Sequence, residues 1–221
     1  MSGPIQNQFE KVLALLKKSK ARFALAGGYA ASLYRETDRF TKDIDFILWT
    51  ENNVIEDAKI ILNRLGLEAH EVREAQLRGG PHHKMKTKST PVWMVAGRSK
   101  SKQDVPVDFL FHLFPWMLEA LTRAQENQID IGFGWRIPVL TCEDVLLSKF
   151  MALGDKSERI DDLSDIQQIF KYSDVDLNYL VGRMKKLHIF CPKSAEAFVP
   201  PVIRKISKEI RSGMGKIKRT F

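Results

Sequence analysis

The stretch Phe23–Leu48, FALAGGYAASLYRETDRFTKDIDFIL, sets two glycines behind a short apolar run and two acids among apolar residues further on. Asp43 and Asp45 stand two apart, so in a strand both leave by one face while Ile44 and Phe46 fill the other. Carboxylates that close repel, and one stays protonated unless a cation lies between them. Mg²⁺ suits such a pair, because it takes oxygen ligands and is commonly shared between a few carboxylates and substrate phosphates. Asp108, in VPVDFLF, is a third acid inside an apolar strand. Several carboxylates around two metal ions can clamp the attacking and leaving oxygens of a phosphoryl-group displacement. Gly27 and Gly28 fall at a strand-to-helix turn, where backbone can approach phosphate oxygens and N–H groups can bind them. A bare Asp-x-Asp or a lone Gly-Gly is more often a loop cap or a tight turn; their combination in one domain is what points to chemistry.

The elements that must position these residues follow from periodicity. Apolar residues at Phe9, Val12, Leu13, Leu15 and Leu16 predict an amphipathic helix over Ile5–Lys18. A strand at Arg22–Ala26, a helix at Gly28–Arg35 and an alternating strand at Asp43–Trp49 come next. Asn52–Leu65 reads as a second helix with Asn52 or Asn53 as its N-cap. Leu67–Val72, Val92–Gly97 and Val105–Leu113 read as strands, Pro106 suiting a strand start or an edge. Alternating strands and helices predict a layered α/β (α+β) domain with a mixed sheet over 1–114. Residues 115–221 then read as a mostly helical domain. It comprises a helix at Pro115–Asn127, a hairpin within Ile129–Leu140, a helix capped by Thr141, and helices at Ser157–Tyr172, Asp176–Leu187 and Pro200–Arg211.

The chain has 221 residues, 44% hydrophobic and 28% charged, which is globular rather than disordered composition. Its net charge of +8 is unevenly placed. Between Arg78 and Gln103 there are seven Lys/Arg and no acid; from Lys193 onward there are eight against Glu196 and Glu209. Two basic blocks suggest a polyanionic ligand such as a nucleoside triphosphate or RNA. His82 and His83 have no Cys or acid at ligand spacing and read as loop residues. No apolar run approaches the ~20 residues needed to span a bilayer, so no membrane association is expected. The mixed charges of the N-terminus do not read as a signal peptide, and two distant cysteines, Cys142 and Cys191, suit a reduced, cytoplasmic setting.

Apolar–Gly–Gly, a helix, Asp-x-Asp on a strand and a later strand Asp together resemble the DNA polymerase β-type nucleotidyltransferase superfamily. AGGYAASLY…TKDIDF is most similar to its AbiEii-like minimal branch, known as toxins of type IV toxin–antitoxin pairs. The resemblance implies Asp43, Asp45 and Asp108 as metal-binding catalytic carboxylates. It implies Gly27 and Gly28, with Thr41 and Lys42, as nucleotide-binding residues. Tyr29 stands where many members carry Ser or Thr. VLTCEDVLLSKFMALGDKSERIDDLSDIQQIF resembles the branch's Thr/Ser-x-Glu-Asp helix, its Lys and its Arg-x-x-Asp-x-x-Asp pattern. This brings in Lys149, Asp162 and Asp165 as catalytic and Arg159 as nucleotide-binding. Asp162 and Asp165, three apart on a helix, share a face on which they could hold Lys149 or Arg159.

The expected function is Mg²⁺-dependent transfer of a nucleoside monophosphate from an NTP to a hydroxyl of RNA (tRNA) or protein. The resemblance adds a toxin role with an antitoxin partner. One alternative is a small-molecule, antibiotic-modifying nucleotidyltransferase, against which the basic blocks argue, since those acceptors are cations. Another is a nucleic-acid-binding module on the same scaffold without catalysis, against which the three acids argue.

Overall fold

Pro4, with φ preset for a first turn, opens α1 (Pro4–Lys18), whose Phe9, Val12, Leu13 and Leu16 form one buried stripe. The computed structural model describes residues 3–37, 41–73, 92–99, 104–111, 116–132, 134–154 and 159–217. Arg78, Lys84, Lys86, Lys88, Lys100, Lys102, His82 and His83 lie outside the described residues. The described chain forms two compact units: Met1–Tyr29 with Phe40–Leu140, and Ala30–Arg39 with Thr141–Phe221.

The first unit is built on a five-stranded mixed sheet. Its strands are β1 (Arg22–Leu25), β2 (Ile44–Trp49), β3 (Glu68–Arg73), β4 (Val92–Arg98) and β5 (Val107–Leu110), in the order β1-β2-β5-β4-β3. Only β2 and β5 run parallel; the other neighbours are antiparallel. One face of the two central strands carries Ile44, Phe46, Val107 and Phe109, all fully buried. Phe46 and Phe109 stack at 6.2 Å, and Phe9 of α1 meets Phe46 edge-on at 6.3 Å. Burying each such ring contributes about 1.5–3 kcal/mol. α3 (Val54–Arg64) packs on the same face, where Leu62 approaches Gly97 of β4. Asn53 is its N-cap, accepting from the N–H groups of Ile55 and Glu56 as Asn/Asp caps do.

α2 (Gly27–Ser32) links β1 to β2 and is shorter than the helix expected to reach Arg35. α4 (Met117–Glu126) lies along the β1 edge, where Gln125 donates to the Phe23 carbonyl at 3.0 Å and Arg22 to the Thr122 hydroxyl at 3.1 Å. The hairpin of β6 (Gln128–Asp130) and β7 (Arg136–Pro138) turns at Gly132 and Gly134, both at positive φ. Leu140 N–H then donates to the Leu25 carbonyl at 3.0 Å, so the sheet edge does not end bare.

The second unit is helical among the described residues: α5 (Cys142–Leu153), α6 (Ile160–Tyr172), α7 (Leu177–Leu187), a 3₁₀ turn (Lys193–Phe198) and α8 (Pro201–Ile217). Thr141 and Asp176 cap α5 and α7 through their side-chain oxygens. α5 buries charged residues as well as apolar ones, and these make hydrogen bonds within their own unit. Glu143 accepts the Asp176 N–H at 2.9 Å, and Asp144 accepts the Tyr179 hydroxyl at 3.3 Å. No described helix is long and apolar enough to cross a membrane.

Candidate active site

The parallel register of β2 and β5 pairs Asp45 directly with Asp108. Both lie on the face opposite Phe46 and Phe109, because neighbours along a strand alternate. Asp43, one residue before β2, turns to the same side: one carboxylate oxygen from each of Asp43, Asp45 and Asp108 lies within 4.8 Å of the other two. Asp108 is buried, and Asp43 and Asp45 are half-buried. Three acids so close raise the cost of ionisation. Burial first, and then the Asp43 charge, hold the Asp108 carboxyl above the usual carboxylate range, even though Arg98 pulls it down.

Gly27 closes the site from the β1 side. Its φ of +60° is in the left-handed region, and a Cβ there would lie 1.8 Å from Asp45 Oδ2. The backbone around it is held, since Ala26 N–H donates to the Asp45 carbonyl at 2.9 Å. Gly27→Ala is therefore expected to displace Asp45 and to lower both melting temperature and divalent-ion affinity. Calorimetry with and without Mn²⁺ checks this, and wild-type values for both would contradict it.

The other expected residues of the first unit fall around this triad. Gly28 is buried one residue into α2. The Thr41 hydroxyl lies 3.3 Å from the Asp43 carbonyl and 3.4 Å from Asp43 Oδ1, and so orients the first acid. Lys42 is exposed beside it. Tyr29 packs edge-on against Phe9 at 5.0 Å, and burial, followed by the Asp43 charge, pushes its phenol up.

Arg98, in sequence one charge of a basic run, lies inside the site. Ala96 is the register partner of Asp108, and Arg98, two residues on, points to the same face. Its Nη1 donates to Asp108 Oδ1, and its Nη2 donates to Oδ2 at 3.0 Å. A strand-end arginine near an acid strand was visible in the sequence; the pairing depends on a register that was not.

The second unit gathers the remaining residues into one network around a buried lysine and two buried acids. Lys149 Nζ lies 2.5 Å from Asp162 Oδ1 and 2.9 Å from Asp165 Oδ2. Arg159, mostly exposed, reaches Asp162 at 3.2 Å. Asp162 and Asp165 thus share the helix face that their spacing predicts. Sequence reasoning missed Arg35, whose Nη1 donates to Asp165 Oδ1 at 2.5 Å and whose Nη2 donates to the Ser164 hydroxyl at 3.2 Å. No local pattern marks a partner 130 residues away.

Neither cysteine offers a nucleophile. Burial pushes both thiols up, Cys191 to about 12, so each stays protonated. The carboxylate triad, in contrast, fits a divalent metal. Its donors are all oxygens, and an ion held at ~2.1 Å from each would need them about 3–4 Å apart, a small rotation from their present positions.

A search of curated protein sequences finds no match. Among solved structures, the chain is similar to the antibiotic-resistance factor ANT(2'')-Ia at 14% identity and TM-score 0.52, over 96% of this chain and 94% of that one. It is also similar to an antigenic nucleotidyltransferase-like protein from Paracoccidioides brasiliensis at 12% identity and TM-score 0.45, over 96% and 90%. The first of these likenesses shows the fold alone. The model of the nucleotidyl transferase AbiEii toxin family, of type IV toxin–antitoxin systems, matches residues 12–213 and so includes every candidate residue above. The chain belongs to the AbiEii family of nucleotidyltransferase toxins and is itself a nucleotidyltransferase.

Proposed function

We propose that the protein transfers a nucleoside monophosphate from an NTP to a hydroxyl of RNA, with release of pyrophosphate, as the toxin of a cytoplasmic toxin–antitoxin pair. The observation that carries this reading is the convergence of Asp43, Asp45 and Asp108 against the Gly27 turn. Asp43 and Asp45, with Asp108, would hold Mg²⁺, which when bound neutralises the phosphates and lowers the pKa of an attacking hydroxyl. Gly27 and Gly28 let the backbone approach the donor's phosphates, with Thr41 setting the orientation of Asp43 and Lys42 adding positive charge. Lys149, Asp162, Asp165 and Arg159 act as one network within the second unit, in which the two carboxylates hold the lysine in place.

Charge supports RNA as acceptor over a cationic small molecule. Leu177–Ile217, which forms α7, the 3₁₀ turn and α8, carries nine Lys/Arg against two Glu. Lys185, Lys186, Lys193, Lys205 and Lys208 are exposed on it. Exposed lysines attract a phosphate backbone in a salt-dependent way. The test is incubation with total RNA and each α-labelled NTP in turn, with RNA and protein resolved separately. Label is expected in RNA, only with a divalent metal, and reduced several-fold by Lys205→Glu combined with Lys208→Glu. Label confined to protein would move the acceptor to a protein hydroxyl. Metal-independent NTP binding without transfer would sink the catalytic reading.

A further inference from the structure

Asp108 has a second cation to answer to. The Arg98 guanidinium brackets its carboxylate through both oxygens, and Nη1 also donates to the Gly97 carbonyl at 3.0 Å. The two partners differ in freedom. The Asp108 side chain is 5% exposed and confined within β5, whereas that of Arg98 is 43% exposed and leaves the last residue of β4. If the pair opens, the guanidinium moves and the carboxylate stays. Asp43 and Asp45 also favour the Arg98 charge, so the arginine answers to the whole triad. A divalent ion drawn to these three acids therefore meets a positive charge already seated on one of them.

We propose that Arg98 is a resident counter-charge that competes with divalent metal for Asp108 and thereby sets the metal affinity of the site. The proposal rests on the metal-site reading above. Arg98 is a positioning residue: it acts on Asp108 and the ion, through charge and through occupancy of both oxygens. A guanidinium suits this role because its planar fork engages both oxygens at once, which an ammonium cannot reproduce. Removing it uncovers the third acid, and Coulomb attraction between the triad and a divalent ion is then opposed by one positive charge fewer.

The experiment is Mn²⁺ titration of the full chain, followed by electron paramagnetic resonance at mildly alkaline pH. Wild type, Arg98→Gln, Arg98→Lys and Asp45→Asn are compared, and each is also melted in chelator and in Mn²⁺. Arg98→Gln is expected to bind Mn²⁺ about tenfold more tightly, and Arg98→Lys less so, as befits removal of one partly screened charge. In chelator Arg98→Gln should melt below wild type, because a buried carboxylate has lost its partner. In Mn²⁺ it should recover by a larger shift than wild type shows, since tighter binding stabilises more. A merely structural arginine would lower melting equally in both conditions. Mn²⁺ affinity unchanged or weaker in Arg98→Gln overturns the proposal. Should that variant not fold, Arg98→Lys decides: tighter binding supports the proposal, and equal or weaker binding overturns it. Mn²⁺ binding that Asp45→Asn removes but Arg98 variants leave unchanged sinks this proposal alone. Binding that Asp45→Asn leaves intact sinks the metal-site reading with it.

Discussion

Asp45→Asn is expected to lower nucleotidyl transfer by about three orders of magnitude or more while leaving the fold intact. The magnitude follows from the several kcal/mol of charge stabilisation that a metal supplies, at about 1.4 kcal/mol per tenfold in rate. The stability side follows from like-charge repulsion. Asp45 stands opposite Asp108 and within 4.8 Å of carboxylate oxygens of both other acids. An amide of the same shape removes one negative charge without opening a cavity, so the melting temperature in chelator should equal or exceed that of wild type. Only a loss of transfer with retained or raised stability fits the reading. Retained transfer would remove Asp45 from the chemistry, and a large drop in melting temperature would make the residue structural.

Asp165→Ala is expected to act in the opposite sense, with a loss of about 3–5 kcal/mol of stability. Asp165 is fully buried and holds both Lys149, at 2.9 Å, and Arg35, at 2.5 Å. Its removal leaves Lys149 with Asp162 and Arg35 with the Ser164 hydroxyl, so buried positive charge is under-compensated. For a chain of this size that is a fall of about 10 °C or more in melting temperature. Adding Arg35→Met should restore part of it, because Arg35 keeps only the Ser164 hydroxyl of these two contacts and an apolar side chain asks for no counter-charge. Arg159→Ala, whose side chain is 58% exposed, should change stability by under about 0.5 kcal/mol. A loss below about 1 kcal/mol for Asp165→Ala would mean that water or neighbours compensate the charge and that the network does not hold the second unit together.

Much of the local structure was readable because it depends on neighbours a few residues away. The stripe of α1, the cap at Asn53, the cap at Thr141 and the glycine turn between β6 and β7 all follow from periods and turn chemistry within one segment. The boundaries were less readable. β5 begins at Val107, after Pro106, whose carbonyl accepts from Ile44 but which has no N–H to give. α2 stops at Ser32, and Arg35 beyond it serves the second unit through Asp165.

For the site, the sequence by itself determined which residues could carry charge and on which side of their own strand each would stand. Two acids with one apolar residue between them must share a face, and an acid inside an apolar strand calls for a partner. Only the tertiary structure decided who the partners are. The order β1-β2-β5-β4-β3 set Asp45 beside Asp108, brought Gly27 against Asp45 and put Arg98 on Asp108. Side-chain alternation is a property of one strand, whereas register is a choice between strands far apart in the chain, settled by how their buried faces pack.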